Sequence, residues 1–553
     1  MTGGDRSGHK QARTAISRWS ELKRDRTQHE QDWEDIARLI RPQRGGFTFI
    51  DHQTRDFIKP LSSEPILAAS SFAAGIYSGL TNPANRWFGL ETPDEDFNAW
   101  RPMAEWNDIA TARVLASFRP ALSSFYSSTF QAYSDIAAFG NAAGYDEMNR
   151  RERKFMDITI SLAELVFDID AWGRVWEVVR RFRLTPAAAI DMFGADNLPP
   201  KMLELAQKGD RTQVTFYHRV AANTVANPGG IGRNSMPWSS VYACEMECWL
   251  IEEGGYHEMP YYAPRWDVDS GQIYGTGPGF IALASTRAVH QMDAATLRAA
   301  QFAADPTMLA PDRQDWPLNG HVRPGVVVYG GVNMQGQQML RPLQTGGGIG
   351  LTREEKAAKL EEVKNAFHYA LMTVQGRTGM TAEETLIMEE ARMRNWAPHS
   401  DRIMEEYAAK KVERRFRMLW RAGQIPAPPK EAQGLPMQVR YQSAASMAMK
   451  AREGMAIKQF IADLGPLAQT NQRYLERLDP DAVIEALHEA APSLPARLLR
   501  SREDADQLAE ARAQREQMAQ GLQAAQMGAG AMKDAAAAAG AMGGMPGMEG
   551  MMQ

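Results

Sequence analysis

Residues 274–293 read "YGTGPGFIALASTRAVHQMD", a Gly- and Pro-rich turn that runs into apolar residues at helical spacing. Glycine turns that open helices often hold phosphate, because exposed backbone N–H groups and the helix dipole both favour an anion. No Lys-Ser or Lys-Thr follows these glycines, however, and the chain contains no Gly-Lys pair. The phosphate-gripping lysine of a P-loop is therefore missing. A dinucleotide fold would also need alternating parallel strands and helices, which the antiparallel-looking flanks do not offer. The stretch reads as a tight entry into a helix. Val289, Met292, Ala295, Ala299 and Phe302 continue at spacings of three and four, predicting a helix over 281–304 that stops before Pro306.

Working outward toward the C-terminus, 305–351 is a Pro/Gly-rich excursion that holds a strand-like "GVVVYGG" at 325–331. Thr352 and Glu355 form a capping box, and Leu360, Val363, Phe367 and Leu371 make the apolar face of a second helix over 352–371. Residues 372–380, "MTVQGRTGM", break it. A further capping box, Thr381 with Glu384, opens a third helical run to Gly423, and Pro398 inside it predicts a kink near Trp396. Past the linker-like "QIPAPPKEAQGLP", residues 440–520 are helical with interruptions expected at Pro466, Pro480, Pro492 and Pro495. The Ala/Gly/Met-rich end is low in complexity and reads as flexible or loosely helical.

Upstream, Ile16, Trp19, Leu22, Trp33, Ile36 and Leu39 recur at helical spacing within 11–41, and Pro42 ends that element. A second helix lies in "SEPILAASSFAAGIYSGLTNP", and "NRWFGLETPDEDF" turns the chain back. Residues 155–184 are rich in β-branched and aromatic side chains and read as an antiparallel hairpin or meander with Gly173 at a turn. Thr185 as N-cap, Pro186 at the first helical position and Gly194 as the stop predict a short helix. More strands are expected in "QVTFYHRVAANTV" and in "SSVYACEMECWLIEEGGYHEMPYYAPRW". Strands and helices in separate runs make the fold class α+β.

Composition narrows the function. The chain has 553 residues, 44% hydrophobic and 9% aromatic, with a mean hydropathy of -0.42, which suits a globular chain of several domain-sized units. It has no apolar run of the length a membrane helix needs, and its first residues are too polar for a signal-peptide core, so cytoplasmic synthesis is the default expectation. A net charge of -5 disfavours a protein that grips nucleic acid by neutralising many phosphates. A conduit for DNA remains compatible with it. The two cysteines, Cys244 and Cys248, are too few for a four-ligand zinc site and read as reduced thiols.

Catalytic and metal motifs are weak. Asp168 and Asp170 resemble the acidic end of a metal-binding strand, but aspartates at a hairpin turn more often serve the turn itself. His257-Glu258 begins like a zinc-protease motif, yet Tyr261 stands where the second His is required. There is no Gly-x-Ser-x-Gly elbow. No enzyme and no cofactor are expected. Two amphipathic helices around an excursion, followed by a loop and a long helix, instead suggest packing surfaces for copies of the same chain or a plain helical hairpin.

The ordered set "GLTNPANRWFGLETPD" (79–94), "GRVWEVVRRFRLTPAAAIDMFG" (173–194), "GYHEMPYYAPRWDVDSGQIYGTGPGFIAL" (255–283), "GMTAEETLIMEEARMRNWAPHSDRIMEEYAAKKVERRFRMLWRAGQIP" (379–426) and "LRSREDADQLAEARAQREQM" (499–518) resembles the portal, or head-to-tail connecting, proteins of short-tailed podovirus-type bacteriophages. The resemblance implies a ring, typically a dodecamer, at one capsid vertex of the virion, with a channel for double-stranded DNA. By the same resemblance 1–280 is a wing, 281–304 and 352–371 are stem helices, 305–351 is a clip and 372–380 is a tunnel loop. Residues 381–425 are then a kinked wing helix, 426–510 a crown and 511–553 a flexible tail. The implied partners are other copies of the chain, DNA, the large terminase, a tail adaptor, capsid protein and scaffold or internal core proteins. Another phage connector or adaptor is the alternative, with a monomeric hydrolase more distant. Candidate DNA-channel residues are Gln375 and Arg377 in the loop and Lys356, Lys359 and Lys364 on the second stem helix. Arg313, Trp316, Arg323 and Arg341 are clip docking candidates, because arginines and aromatics are enriched at binding hot spots.

Overall fold

A computed structural model describes residues 4–47, 60–149, 152–226, 232, 235–304, 308–309, 334–337, 341–342, 349–372, 398–441, 444–470, 478–490, 498–500 and 504–519. The chain opens on helix α1 (Gly4–Leu39), then α2 (Glu64–Leu80), strand β1 (Phe88–Glu91), α3 (Glu95–Ala99), α4 (Arg101–Ser117) and α5 (Phe125–Phe139). Strands β2 (Ala143–Asn149), β3 (Lys154–Ile160), β4 (Leu165–Ile169) and β5 (Val175–Leu184) lead to the short helices α6 (Pro186–Phe193) and α7 (Pro200–Gln207). Then come β6 (Val214–Ala222), β7 (Trp238–Cys244), β8 (Trp249–Tyr256) and β9 (Tyr261–Tyr262). Helix α8 (Pro278–Ala304), strands β10 (Met308–Leu309) and β11 (Arg341–Pro342), and helices α9 (Ile349–Ala366) and α10 (Tyr369–Met372) follow. A π-helical turn at Met404–Ala409 enters α11 (Lys410–Arg421), followed by β12 (Gln438–Tyr441), α12 (Ala444–Thr470) and α13 (Pro480–Glu489). A helix at 504–519 is the last described element.

The largest sheet is an antiparallel meander in the order β4-β5-β6-β7-β8, and its central strands carry continuous buried runs because successive side chains pack on opposite, covered faces. Val166, Val179 and Tyr217 face α1, where Trp19 and Leu22 meet them, while Val241 and Ala243 meet Ala12 and Ala15. The alternate residues Phe182, Phe216, Tyr242 and Cys244 pack with Ala189 of α6 and Met202 of α7. A long helix with one apolar stripe and two short helices thus cover a sheet that would otherwise expose an apolar face. Even a charge on the α1 stripe is accommodated: Arg26 is fully buried, donating to the carbonyls of Leu162 and Leu165 at 2.6 Å and to Glu30. A smaller sheet in the order β3-β2-β9 packs on α5, which is buried around most of its circumference, polar Ser128, Thr129, Ser134 and Asp135 included.

Two compact units emerge. The first comprises 1–91, 109–427 and 436–448; the second comprises 92–108, 428–435 and 449–553. In the second, Asp479 caps α13 by accepting from Asp481 and Ala482 at 3.0 and 3.3 Å, and Gly454 of α12 faces Ala490 closely enough that a Cβ would stand 3.0 Å from its methyl. Arg101 pairs there with Glu105 at 3.0 Å and with Asp504 at 3.1 Å.

Several sequence expectations hold. Gly173 takes φ 77° at the β4–β5 turn, and α6 has Thr185 as N-cap, Pro186 at its start and Gly194 at its end with φ 81°. Others need correction. The capping box of Thr352 and Glu355 lies inside α9, which begins at Ile349, because adding residues to a formed helix is far easier than nucleating one. The helix expected over 352–371 is divided at His368, whose left-handed φ of 48° ends α9 and leaves Phe367 edge-on to Phe72. Strand β3 pairs with β2 and not with the β4–β5 hairpin, since β2 supplies it with a full antiparallel register. Pro466 lies within α12, where one proline removes a single backbone hydrogen bond, and Pro480 starts α13. The helix at 504–519 falls within the helical run expected over 440–520. The strand-like 325–331, the Thr381–Glu384 box and the kink near Trp396 lie outside the described residues.

Candidate functional site

Helices α8 and α9 pack side by side. Of the residues whose spacing predicted α8 only Val289 is buried, whereas Ala295 and Phe302 are exposed, because the buried stripe lies in the first half of the helix. Ala282, Leu283, Thr286 and Val289 are buried on α8, as are Val363 on α9 and Phe367 just beyond it. Polar bonds fix the register. Lys356 of α9 pairs with Asp293 of α8, and Ser285 donates to Glu362 at 2.6 Å. Lys359 also reaches Glu362 at 2.8 Å, and the Lys359 ammonium with the Ser285 hydroxyl holds the Glu362 carboxyl below its usual range. The pair is tied to its surroundings by Arg287, 2.5 Å from Asp35 of α1, and by Lys364, 3.6 Å from Glu64 of α2. All three candidate channel lysines on this helix therefore have acidic partners within the chain.

The glycine turn before α8 has a different role from the one first suggested by its composition. A Cβ on Gly279 would stand 2.1 Å from the Ala138 carbonyl oxygen, and one on Gly277 would stand 2.6 Å from the Gly140 Cα. Gly140 itself closes α5 at φ 69°, and a Cβ there would meet the Thr276 carbonyl carbon at 2.2 Å. Asn141 locks the contact by donating to the Gly275 carbonyl at 2.6 Å and accepting its N–H at 2.8 Å. The turn is filled by the last turn of α5, so the glycines serve backbone-to-backbone packing and leave no cradle for phosphate.

The densest charged cluster lies elsewhere. Lys411 and Arg415 of α11 enter the core against Asp157 of β3, with Lys411 Nζ 2.7 Å from Oδ1 and Arg415 Nη2 2.9 Å from Oδ2. Ser123 adds a 2.6 Å hydrogen bond to Oδ2, while Asp146 of β2 lies 3.4 Å from the same Arg415 nitrogen. Arg414 donates to the carbonyls of Glu258 and Asp146 at 2.8 and 3.1 Å. Burial alone would raise the Asp157 pKa, but the Lys411 and Arg415 charges override it and hold the carboxyl low. Asp146 has fewer bonds, and burial together with the Asp157 charge pushes its pKa up. This cluster went unread in the sequence. Its signal was present as cations at 411, 414 and 415, spaced three and four among Tyr407, Val412 and Leu419 on one helical face.

The sequence model of the bacteriophage head to tail connecting protein family matches residues 12–499. The chain belongs to that family. This connector is 26% identical over 536 residues to the portal protein of Salmonella phage epsilon15, covering 94% of each chain. It is 25% identical over 480 residues to a probable portal protein of Bordetella phage BPP-1, covering 84% of this chain and 85% of the relative. A chain from the neck of a native gene transfer agent particle aligns at 13% identity with a TM-score of 0.33, covering 76% of the connector and 96% of that chain.

As a head-to-tail connector, the protein is structural and not an enzyme. The residues once weighed for other chemistry have structural partners. Asp170 serves its hairpin turn, accepting the N–H groups of Trp172 and Arg174, the latter bond being the main reason its pKa is low. Asp168 accepts from Arg18 at 2.5 Å. Glu258 is bound bidentately by Arg421 at 2.6 and 2.7 Å. Burial pushes the Cys244 thiol up to about 11, which keeps it protonated at neutral pH. Among the described residues no group of three or more His, Cys, Asp and Glu is placed to hold a metal, and no helix is long and apolar enough to cross a membrane.

Of the connector's remaining candidates, Arg341 lies in β11 opposite Leu309 of β10. Gln375, Arg377, Arg313, Trp316 and Arg323 lie outside the described residues.

Proposed function

We propose that this connector is a portal subunit whose copies form a ring, a dodecamer, at one vertex of the capsid. The ring conducts double-stranded DNA during packaging and ejection. Family membership over residues 12–499 is the observation that carries this reading. In it, α8 and α9 are the stem and 305–351 is a clip that meets the large terminase and later a tail adaptor. Residues 372–380 form the tunnel loop, 1–280 and 381–425 the wing, 426–510 the crown and 511–553 the tail. Capsid protein and scaffold or internal core proteins meet the outside of the ring.

The physics of a conduit agrees with the arrangement of charge. Every phosphate neutralised by a free Lys or Arg adds salt-dependent affinity that moving DNA must overcome. On α9, Lys356, Lys359 and Lys364 are each balanced by an acid of the same chain. A stem lined this way offers transient contacts and no tight grip, leaving Gln375 and Arg377 as the loop residues that touch passing phosphates. Electron microscopy of the purified full-length chain tests the proposal. Rings with a central hole are expected, and a stable monomer that hydrolyses a small substrate would overturn it.

A further inference from the structure

Four non-glycine residues among those described have a left-handed backbone: Arg153, Glu247, Cys248 and His368. The first three sit in turns between paired strands, where the chain must reverse. His368 lies instead in a run whose sequence calls for uninterrupted helix. Leu360, Val363, Phe367 and Leu371 keep one apolar stripe, and no glycine or proline occurs from 351 to 375. At φ 48° it nevertheless divides that run into α9 and the four-residue α10. Its N–H donates back to the Asn365 carbonyl at 3.0 Å, and its own carbonyl accepts from Met372 at 3.2 Å.

The contacts that hold the bend are few and partly open to water. Lys364 Nζ stands 5.9 Å from the centre of the Tyr369 ring and 3.6 Å from Glu64 of α2, with Lys364 31% and Glu64 48% exposed. On the same helix the Phe72 ring meets Phe367 and His368 at 6.2 and 6.3 Å. The left-handed conformation is disfavoured for an L-residue by roughly five- to thirtyfold in population. A solvent-exposed ion pair or cation–π contact shifts an equilibrium by about fivefold at most. Relief of strain and recovery of regular helical bonds favour a straight α9–α10, while the contacts with α2 favour the bend. Opposing terms of similar size leave both forms accessible.

We propose that His368 is a two-position hinge and that Lys364 is the clasp that keeps α10 folded against α2. In the straight form residues 367–372 continue α9 and lengthen it by about 9 Å. The hinge stands on the backbone and these contacts; its place at the end of a stem helix rests on the portal reading above.

Spin labels at Glu354→Cys and Ala370→Cys, both exposed positions, read the hinge in the full-length chain. Cys248→Ser removes the half-buried native thiol, and an excess of unlabelled chain confines the measured pairs to one copy. A straight helix separates the two positions by about 24 Å, and the bend brings them closer. His368→Gly, which relieves the left-handed strain, should give the shorter distance alone. His368→Ala, a stronger helix former, and Lys364→Met, which lacks the clasp, should each raise the fraction at the longer distance by about threefold or more over His368→Gly. One distance common to all three variants overturns the hinge, and rings seen by electron microscopy alongside that result leave the stem reading standing. Distances that shift as expected in a chain that never forms rings support the hinge and overturn the stem reading.

Discussion

Lys411 Nζ stands 2.7 Å from Asp157 Oδ1 with both side chains sealed from solvent, at 1% and 0% exposure. The pair joins α11 to β3 across 254 residues of sequence, so it is a tertiary lock. Asp157→Asn strands Lys411 and leaves buried Arg415 only the more distant Asp146, so it should cost about 3–5 kcal/mol in urea unfolding. Lys411→Ala leaves Asp157 paired with Arg415 and hydrogen-bonded to Ser123, so it should cost clearly less. A loss below about 1 kcal/mol for Asp157→Asn would show that the cluster is not buried as described.

Asp146 and Asp157 should respond oppositely to pH. The folded Asp157 carboxyl lies below its ordinary value of 3.8, so its stabilisation is present above that value and disappears as pH falls through the folded one. Asp146 is shifted upward, so its ionised form costs stability at neutral pH, and that cost is relieved as pH falls through its raised folded value. Asp146→Asn should then be at least as stable as wild type at pH 7, whereas Asp157→Asn should be clearly weaker. Denaturation midpoints for the two variants in the reverse order would contradict this division.

Gly279→Ala should be severely destabilising. The added methyl would meet the Ala138 carbonyl oxygen at 2.1 Å, and backbone cannot rotate away as a side chain can. We expect a loss of about 3 kcal/mol from overpacking. Gly209→Ala makes a control, since its φ is 68° but its Cβ would have open space, and only about 1 kcal/mol of backbone strain is expected. Thermal unfolding should separate them, and equal losses would argue against the close contact of α5 and α8.

Arg377 is the sole charge in 372–380. With the loop facing DNA, Arg377→Ala should change packaging rate or genome retention while rings assemble as in wild type. Unchanged rate and retention in a packaging assay would count against a DNA-facing loop.

Deletion of 312–340 removes most of the proposed clip, including Arg313, Trp316 and Arg323. Rings should still assemble, while heads should remain empty because the packaging motor has lost its docking surface. Normally filled heads from this variant would refute the docking assignment.

Much of the local fold was legible in the sequence. Apolar spacing over 281–304 marked α8 to within one turn of its start, and Thr185-Pro186 with Gly194 marked both ends of α6, because caps and helical periodicity are properties of neighbouring residues. Helices α4 and α5 and strand β2 were not read. In α5 the cause is plain: Ser128, Thr129, Ser134 and Asp135 are buried while Phe130 is exposed, so the amphipathic contrast that reveals a helix is blurred. The pairing of β1 with β12 was equally hidden, since each strand is four residues long and nothing near Phe88 specifies Tyr441 as its partner.

The sequence by itself determined the helical pair around a Pro/Gly excursion, the punctuation of short helices and the resemblance to phage connectors, since all are written in residues close together or in their order. Only the tertiary structure decided what the charges and glycines are for. Whether a lysine is a phosphate contact or half of a buried lock depends on which carboxylate the fold brings to it, as Asp157 comes to Lys411. Likewise, the glycines of "YGTGPG" form no phosphate cradle because the last turn of α5 fills the space where a ligand or a Cβ would have stood.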